Sequence, residues 1–321
     1  ELPVRLLLLG CSGFVGRELV PFLLELGHTI TLVSRHGNPF PTLASERLSC
    51  LQLDPAEPAS WQHDRLEMAL SQADGVVNLA GEPIAQRWTT AAKERILSSR
   101  EKSTSLLAWN LAFPSDELRY PPKVFLSMSG INRYGIHRPG ETLTESSALS
   151  DEGFLGKVSA AWEEAATPEG AGSARGIRTV HLRTGMVLAA SGGALKAMLP
   201  AFKAGLGGRI GSGHQMISWI RLGDLVSMIV WALEDSKVEG PLNAVAPHPV
   251  SQADFARALG RAVHRPAVIP APAWAVKLLF GQMGAETVLA DLAVEPRKAA
   301  EGGFRWSTPD LPTALDAALR E

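Results

Sequence analysis

The sequence predicts an α/β fold: a doubly wound parallel sheet with a smaller C-terminal unit set against its carboxyl edge. Three observations predict it. Apolar runs of strand length alternate with segments whose apolar residues recur at helical spacing. A glycine-rich turn joins the first run to the first helix. After Gly185 the texture changes, with Gly192, Gly193, Gly205, Gly207, Gly208, Gly211 and Gly213 in quick succession and prolines beyond them.

The first run is residues 4–9, and Gly10-Cys11-Ser12-Gly13-Phe14-Val15-Gly16 follows at once. Residues 17–26 are apolar at helical spacing and are closed by Gly27. A second apolar run, 29–33, ends in Ser34-Arg35. Strand, glycine turn, helix and strand make one βαβ unit of the Rossmann type. The glycines permit a tight turn, a close approach of pyrophosphate to backbone, and a helix lying near the sheet. Amide groups at the helix start then face the phosphate. Pro21 removes a backbone donor about one turn into this helix, which predicts a tight first turn or a slight kink. At the end of the second strand an NAD site places an acid on the ribose, and an NADP site needs a cation for the 2′-phosphate. Here Ser34-Arg35 stands there, with no acid before Glu46, which predicts NADP(H) over NAD(H).

The chain then continues in the same alternation. Residues 48–53 read as a third strand with Asp54 at its end, 55–65 as a loop, and 66–72 as a short helix. A fourth strand over 74–81 runs into Asn78-Leu79-Ala80-Gly81, and a long helix with one charged face spans 91–111. Residues 123–127 form a fifth strand that ends in Ser127-Met128-Ser129-Gly130. A loop over 135–153, a helix over 156–166 and a sixth strand over 178–183 follow. Beyond lie helices at 194–203 and 224–234, a strand at 241–245, and short segments between prolines from Ser251 on. We expect residues 1–190, completed by about 219–246, to form the dinucleotide-binding domain. Residues 191–218 and 247–321 form the smaller substrate or lid domain.

At 321 residues the chain can bury a full core. Its net charge of −2 supplies no overall basic field, which argues against nucleic acid and acidic membrane surfaces as partners. No apolar run reaches the ~18–20 residues of a membrane span. The two cysteines, Cys11 and Cys50, read as free thiols of a soluble protein in a reducing compartment. There is no His-Glu-x-x-His and no Cys-x-x-Cys, so no metal site is expected. Gly10-Cys11-Ser12-Gly13 is not a nucleophile elbow, because its glycine falls one position early.

The glycine spacing, Asp54, Asn78-Leu79-Ala80-Gly81 and the serines after the fifth strand resemble the extended short-chain dehydrogenase/reductase superfamily. A narrower resemblance is to its NADP-binding epimerase-like family, sometimes labelled cell-division inhibitor-like. It rests on residues 77–84 with Arg87-Trp88-Thr89, on Ser99-Arg100, on Trp162-Glu163, and on residues 182–188 with Gly192 to Leu195. It rests above all on Met198-Leu199-Pro200 through Gly205 to Gly208, Ile210 to Gly213, Gln215, Trp219-Ile220 and Asp224-Leu225. The resemblance covers nearly the whole chain. It implies a phosphate loop of Gly10, Ser12, Gly13, Phe14, Val15 and Gly16, and it gives Ser34 and Arg35 the 2′-phosphate. It also implies that Asp54, Leu79, Ala80 and Gly81 line the cofactor, that Arg100 reaches it from the long helix, and that Val187 lies near the nicotinamide. Arg221 departs from the pattern where relatives usually carry His, and Arg133 where they often carry an uncharged residue. Such proteins occur in bacteria, mitochondria and plastids; for this chain the cytoplasm or plastid stroma is expected ahead of the mitochondrial matrix.

The superfamily's acid is a Tyr with Lys four residues on. Tyr120 is followed by Val124 and Tyr134 by Arg138, so neither makes the dyad. In the helix that should carry it, the two positions read Phe154 and Val158, and Lys157 is about 100° off the required face. Ser129 and Tyr134 remain as candidate catalytic residues, with Lys157, His214 and Gln215 as further polar candidates. Two functions are open. One is an NADP(H)-dependent oxidoreductase or epimerase acting on a small molecule by a non-standard acid. The other is a non-catalytic NADP(H)-bound scaffold or redox sensor acting through a protein partner.

Overall fold

The computed structural model describes residues 4–113, 121–167 and 176–320. The chain opens with β1 (Arg5–Leu9), α1 (Phe14–Glu25), β2 (Thr29–Ser34) and β3 (Leu48–Gln52). A 3-10 turn at Pro58–Gln62 leads into α2 (Asp64–Gln72), β4 (Gly75–Asn78), α3 (Thr90–Ala112) and β5 (Val124–Gly130). Then come β6 (His137–Leu143), α4 (Gly153–Ala166), β7 (Arg178–Thr184), β8 (Met186–Leu188) and α5 (Gly193–Lys203). Next are β9 (Met216–Ile217), β10 (Trp219–Arg221), α6 (Leu222–Glu234), β11 (Gly240–Ala244), β12 (Val250–Ser251) and α7 (Gln252–Ala262). The chain closes with α8 (Ala273–Glu286), β13 (Asp291–Val294), α9 (Arg297–Glu301) and α10 (Leu311–Ala318).

Seven strands form one sheet in the order β11-β7-β5-β4-β1-β2-β3. Every neighbouring pair in it is parallel, as the alternation of strands and helices predicts. Both faces are covered, which is why β1 reads Arg-Leu-Leu-Leu-Leu without polar alternation. Leu6 and Leu8 pack with Leu19, Val20 and Leu23 of α1 and with Leu225 and Ile229 of α6. Leu7 and Leu9 point the other way, onto Leu66 and Leu70 of α2 and Leu107 and Leu111 of α3. Burying each such leucine contributes about 1.5–3 kcal/mol of transfer free energy. A further cluster joins Leu195 and Leu199 of α5, Phe255 and Leu259 of α7, and Leu315 of α10 around Trp219.

Several local expectations need correction. The stretch 135–153, read as loop, contains β6. Its sequence His-Arg-Pro-Gly-Glu-Thr-Leu has no apolar alternation and is mostly exposed, so nothing local marks it. It is a strand because β13 pairs with it, across a register shift between Asp291 and Ala293. β8 is three residues long, too short to show a period, and is defined by pairing with β10. Helices α1 and α4 start earlier than their apolar periodicity, at Phe14 and Gly153. Pro21 therefore lies two turns into α1, and the helix continues through it to Glu25. Tyr120 lies outside the described residues.

Candidate functional site

The strand register gathers the predicted cofactor residues at one edge. Leu9 pairs with Val33 on one side and with Asn78 on the other. Gly10 thus leaves β1 between Ser34-Arg35 and Leu79-Ala80, where the strand order reverses and a crevice opens in doubly wound sheets. Gly10 has φ +77°, and a Cβ there would lie 2.3 Å from Ala80 N. Gly16 is held by packing, since a Cβ would lie 2.4 Å from the backbone of Cys11. Gly13 has nothing within 4 Å of a built Cβ, so the backbone is open on that side. Gly13 is also the N-cap of α1, which has no side-chain cap and no acid in its first turn. An unshielded helix N-terminus behind an open glycine suits an anionic group. Ser12 is exposed, and its carbonyl accepts a 3.1 Å bond from Arg17 Nε that fixes the loop. Val15 is half-buried. Phe14 is covered from the far side by Gly192, where a Cβ would lie 2.8 Å from the Phe14 ring. The turn between β8 and α5 can approach this closely only without a side chain. Val187 of β8 is half-buried beside it, its carbonyl 3.5 Å from a Cβ built at Gly193.

Arg35 is exposed and makes no ion pair among the described residues, so its charge is free for a ligand. Ser34 ends β2, its carbonyl accepting from Leu53 N at 3.2 Å. Asp54 Oδ1 accepts from Ala56 N at 2.9 Å, which commits one oxygen to the turn after β3. Asn78 is buried and bridges Thr104 Oγ1 (2.8 Å) to Ala80 N (3.1 Å), holding the β4 exit to α3.

Arg100 reaches the same edge from α3. Its Nη1 donates to Glu82 O and Ile96 O, at 2.9 and 3.0 Å. Its guanidinium lies 4.7 Å from the Trp162 ring, and its Cζ would lie 2.8 Å from a Cβ at Gly81. Burial lowers its pKa to about 10, against a smaller opposing pull from Glu82. Arg100 Nε and Trp162 Nε1 are buried with no acceptor among the described residues. Buried orphan donors are uncommon, and that of Arg100, beside Gly81, fits a ligand bearing oxygen acceptors.

Under the end of β5 lies a charged cluster. Ser129 Oγ donates to Glu163 Oε1 at 2.8 Å. Arg183 binds the Glu163 carboxylate through Nε and Nη2, at 2.7 and 2.8 Å. Arg183 Nη1 donates to Tyr134 Oη at 3.0 Å, and that hydroxyl donates to Asn243 Oδ1 at 2.7 Å. Tyr134 is fully buried and Ser129 nearly so. Burial pushes the Tyr134 phenol up despite the opposing Arg183. Burial also raises Glu163, but the hydrogen bonds and charge of Arg183, together with His181 and Ser129, outweigh it and hold the carboxyl below its ordinary range. Burial lowers His181, on the same strand as Arg183. Arg133 closes the cluster, with Nη1 on Ser150 O at 3.1 Å and Nε 3.6 Å from Glu163.

The N-terminal turn of α4 carries no proton donor. Phe154 meets Trp88 edge to face at 4.9 Å, with Lys93 Nζ 5.4 Å from the Phe154 ring. Glu286 of α8 accepts from Phe154 N and Leu155 N, at 3.0 and 2.8 Å. Lys157 is exposed. His214 is exposed, while Gln215 is buried with Nε2 on Ile210 O at 3.1 Å, holding its glycine-rich loop together. Arg221 bonds Thr308 and Ser307, which also bind Asp224, and so latches α6 to the C-terminal segment. The sequence reading missed Glu286 and Asn243, because their partners are distant in the chain and no local spacing announces them. Among the described residues no group of three or more His, Cys, Asp or Glu is placed to hold a metal.

Comparison with known proteins places this geometry. The sequence profile of the NAD dependent epimerase/dehydratase family matches residues 6–244, and that of a domain of unknown function (DUF1731) matches 271–318. The chain is 37% identical to the epimerase family protein SDR39U1 of Bos taurus over 320 residues, covering 98% of this chain and 100% of that one. It is 34% identical to the epimerase family protein YfhF of Bacillus subtilis, covering 97% of each. The crystal structure of human epimerase family protein SDR39U1 with NADPH superposes with a TM-score of 0.82 at 34% identity, covering 98% of this chain and 99% of that one. The chain belongs to the NAD dependent epimerase/dehydratase family, within the extended short-chain dehydrogenase/reductases.

Proposed function

We propose that the protein binds NADP(H) at the turn after β1 and uses it in an oxidoreductase or epimerase step on a small molecule. The observation that carries the cofactor is Arg35, exposed and unpaired beside an open Gly13 at an uncapped helix N-terminus. The NADPH in the human relative's crystal structure supports the same choice. Gly10, Ser12, Gly13, Phe14, Val15 and Gly16 would cradle the pyrophosphate, and Ser34 and Arg35 the 2′-phosphate. Asp54, Leu79, Ala80, Gly81 and Arg100 would line the adenosine and ribose, with Val187 at the nicotinamide. Residues 191–218 and 247–321 would form the substrate side of the cleft. When bound, the cofactor would supply a hydride donor or acceptor.

The chain's own contribution to proton transfer is unlike the superfamily's. Phe154 and Val158 hold no exchangeable proton, and the hydroxyls of Ser129 and Tyr134 are committed to Glu163 and Asn243. We assign both to positioning: they fix the floor of the cleft through Arg183 and Glu163, and the proton comes from the substrate or from water. The same commitment favours a second reading, in which the protein holds NADP(H) as a sensor for a protein partner in a reducing compartment.

Calorimetry tests the cofactor choice. NADPH should bind more tightly than NADH, and Arg35→Ala should cut NADPH affinity roughly 10- to 100-fold while leaving NADH unchanged, since a charge-assisted contact is worth about 1.5–3 kcal/mol. Equal affinities in the unaltered protein would overturn it. NADPH oxidation over a panel of carbonyls, enones and sugar nucleotides separates the two readings: turnover with any of them supports the enzyme, and none at any pH supports the sensor.

A further inference from the structure

The first two turns of α8 stand clear of the protein. Of residues 273–280 only Val276 is buried, while Trp274, Leu278 and Leu279 are each more than two-thirds exposed and Phe280 is half exposed. Gly281, at φ +58° and ψ −140°, breaks the helix and sets this arm off from Gln282–Glu286. The second part is tied down by the Glu286 bonds to α4 and by Lys93, which donates to Gln282. The apolar surface extends beyond the arm. Ile269 N donates to Gly207 O at 3.1 Å, which sets exposed Val268 and Ile269 beside exposed Leu206, just before α8 begins. An exposed helix with apolar residues nearly all round is not a stable surface in water and calls for a cover.

The charges around it identify the cover. Residues 200–213 and 260–281 contain Lys203, Arg209, Arg261, Arg265 and Lys277 and no Asp or Glu. All five are exposed. Four of them border the apolar surface: Arg265 Nε binds Lys203 O at 3.1 Å, the Arg209 carbonyl accepts from Ala271 N at 2.8 Å, and Lys277 is on the arm itself. A second copy meeting this face about a two-fold axis would bring like charges together. The arm spans only ~12 Å, and no helix among the described residues is long and apolar enough to cross a membrane. A short helix of Trp, Leu and Phe bordered by Lys and Arg suits the headgroup boundary.

We infer that this face docks on an anionic phospholipid bilayer, with Trp274, Leu278, Leu279 and Phe280 seated among the headgroups and the basic residues on lipid phosphates and carboxylates. The chain's net charge of −2 hides this, because its acids lie elsewhere. The inference is independent of the cofactor. It also gives the cleft a direction: α8 leads from the docked arm to the α4 turn at Phe154, so the mouth of the cleft would open close to lipid.

Flotation of the full chain with vesicles tests it, using phosphatidylcholine alone and phosphatidylcholine with 30 mol% phosphatidylserine. Binding should be at least ~100-fold stronger on the anionic vesicles, given about fivefold for each basic residue near the surface, and should weaken steeply with salt. Leu278→Ser with Leu279→Ser, and separately Arg265→Glu with Lys277→Glu, should each weaken it at least ~10-fold. NADPH affinity and the unfolding midpoint should be unchanged, since all four residues are exposed. A vesicle-induced blue shift of fluorescence should disappear in Trp274→Phe. Equal binding to the two vesicles, or none, overturns the inference. So does a dimer in sedimentation that Leu278→Ser dissociates while vesicles are ignored.

Discussion

The glycine turn after β1 and the first turn of α4 lie at the same sheet edge, and the sequence has treated them in opposite ways. In the first, Gly10 and Gly16 fit so tightly that a Cβ at either would overlap backbone, and Gly13 is left open. In the second, the two positions that would carry the proton hold Phe154 and Val158, and the amides are capped by a carboxylate from α8. Holding a dinucleotide is a property of backbone shape, which tolerates few substitutions. Moving a proton is a property of two side chains, which can be exchanged without disturbing the packing. The two are separable in this fold: here the glycine turn is present and the Tyr/Lys pair is not.

The largest test of that contrast lies beneath the second region. Glu163→Ala leaves Arg183 buried without its counter-ion and should cost about 3–5 kcal/mol in urea unfolding. A loss under ~1 kcal/mol would mean that the cluster does not organise the cleft. In the first region, Gly10→Ala meets both a left-handed backbone and the Ala80 amide, and should cost about 3 kcal/mol. Gly13→Ala should cost under ~0.5 kcal/mol yet weaken NADPH binding in calorimetry, because its Cβ enters open space where a phosphate would lie. If both glycine variants destabilised alike, the distinction between packed and open glycines would fail. The smallest effect concerns pH. The folded-state pKa of Glu163 is depressed, so its contribution is complete above the unfolded value of ~4.3 and is lost as pH falls below it. Between pH 5 and 3 the unaltered protein should lose more stability than Glu163→Gln, read as the shift in unfolding midpoint.

The parts legible in the sequence were those written locally. The leucines of β1, the glycine turn and Ser34-Arg35 are contiguous, and their spacing states their geometry. The absent dyad was also legible, because only two tyrosines needed checking. What escaped depends on partners far along the chain. β6 is a strand only because β13 lies beside it. Glu163 and Arg183 stood in recognised motifs, but their union with Ser129, Tyr134 and Asn243 draws on four separate segments. Local charge is hidden for a related reason: a sum over the chain cannot show that Lys203, Arg209, Arg265 and Lys277 stand in two segments without an acid.

Glu286 also constrains the order of events during synthesis. It caps α4 from 132 residues further along the chain. A nascent chain that has emerged only as far as β11 holds all seven strands of the sheet, yet the first amides of α4 still lack this acceptor. The cleft edge at Phe154 is therefore finished from the C-terminal side, after the sheet behind it can already have formed. Truncations that end before α8 should retain the sheet and leave that one helix end frayed.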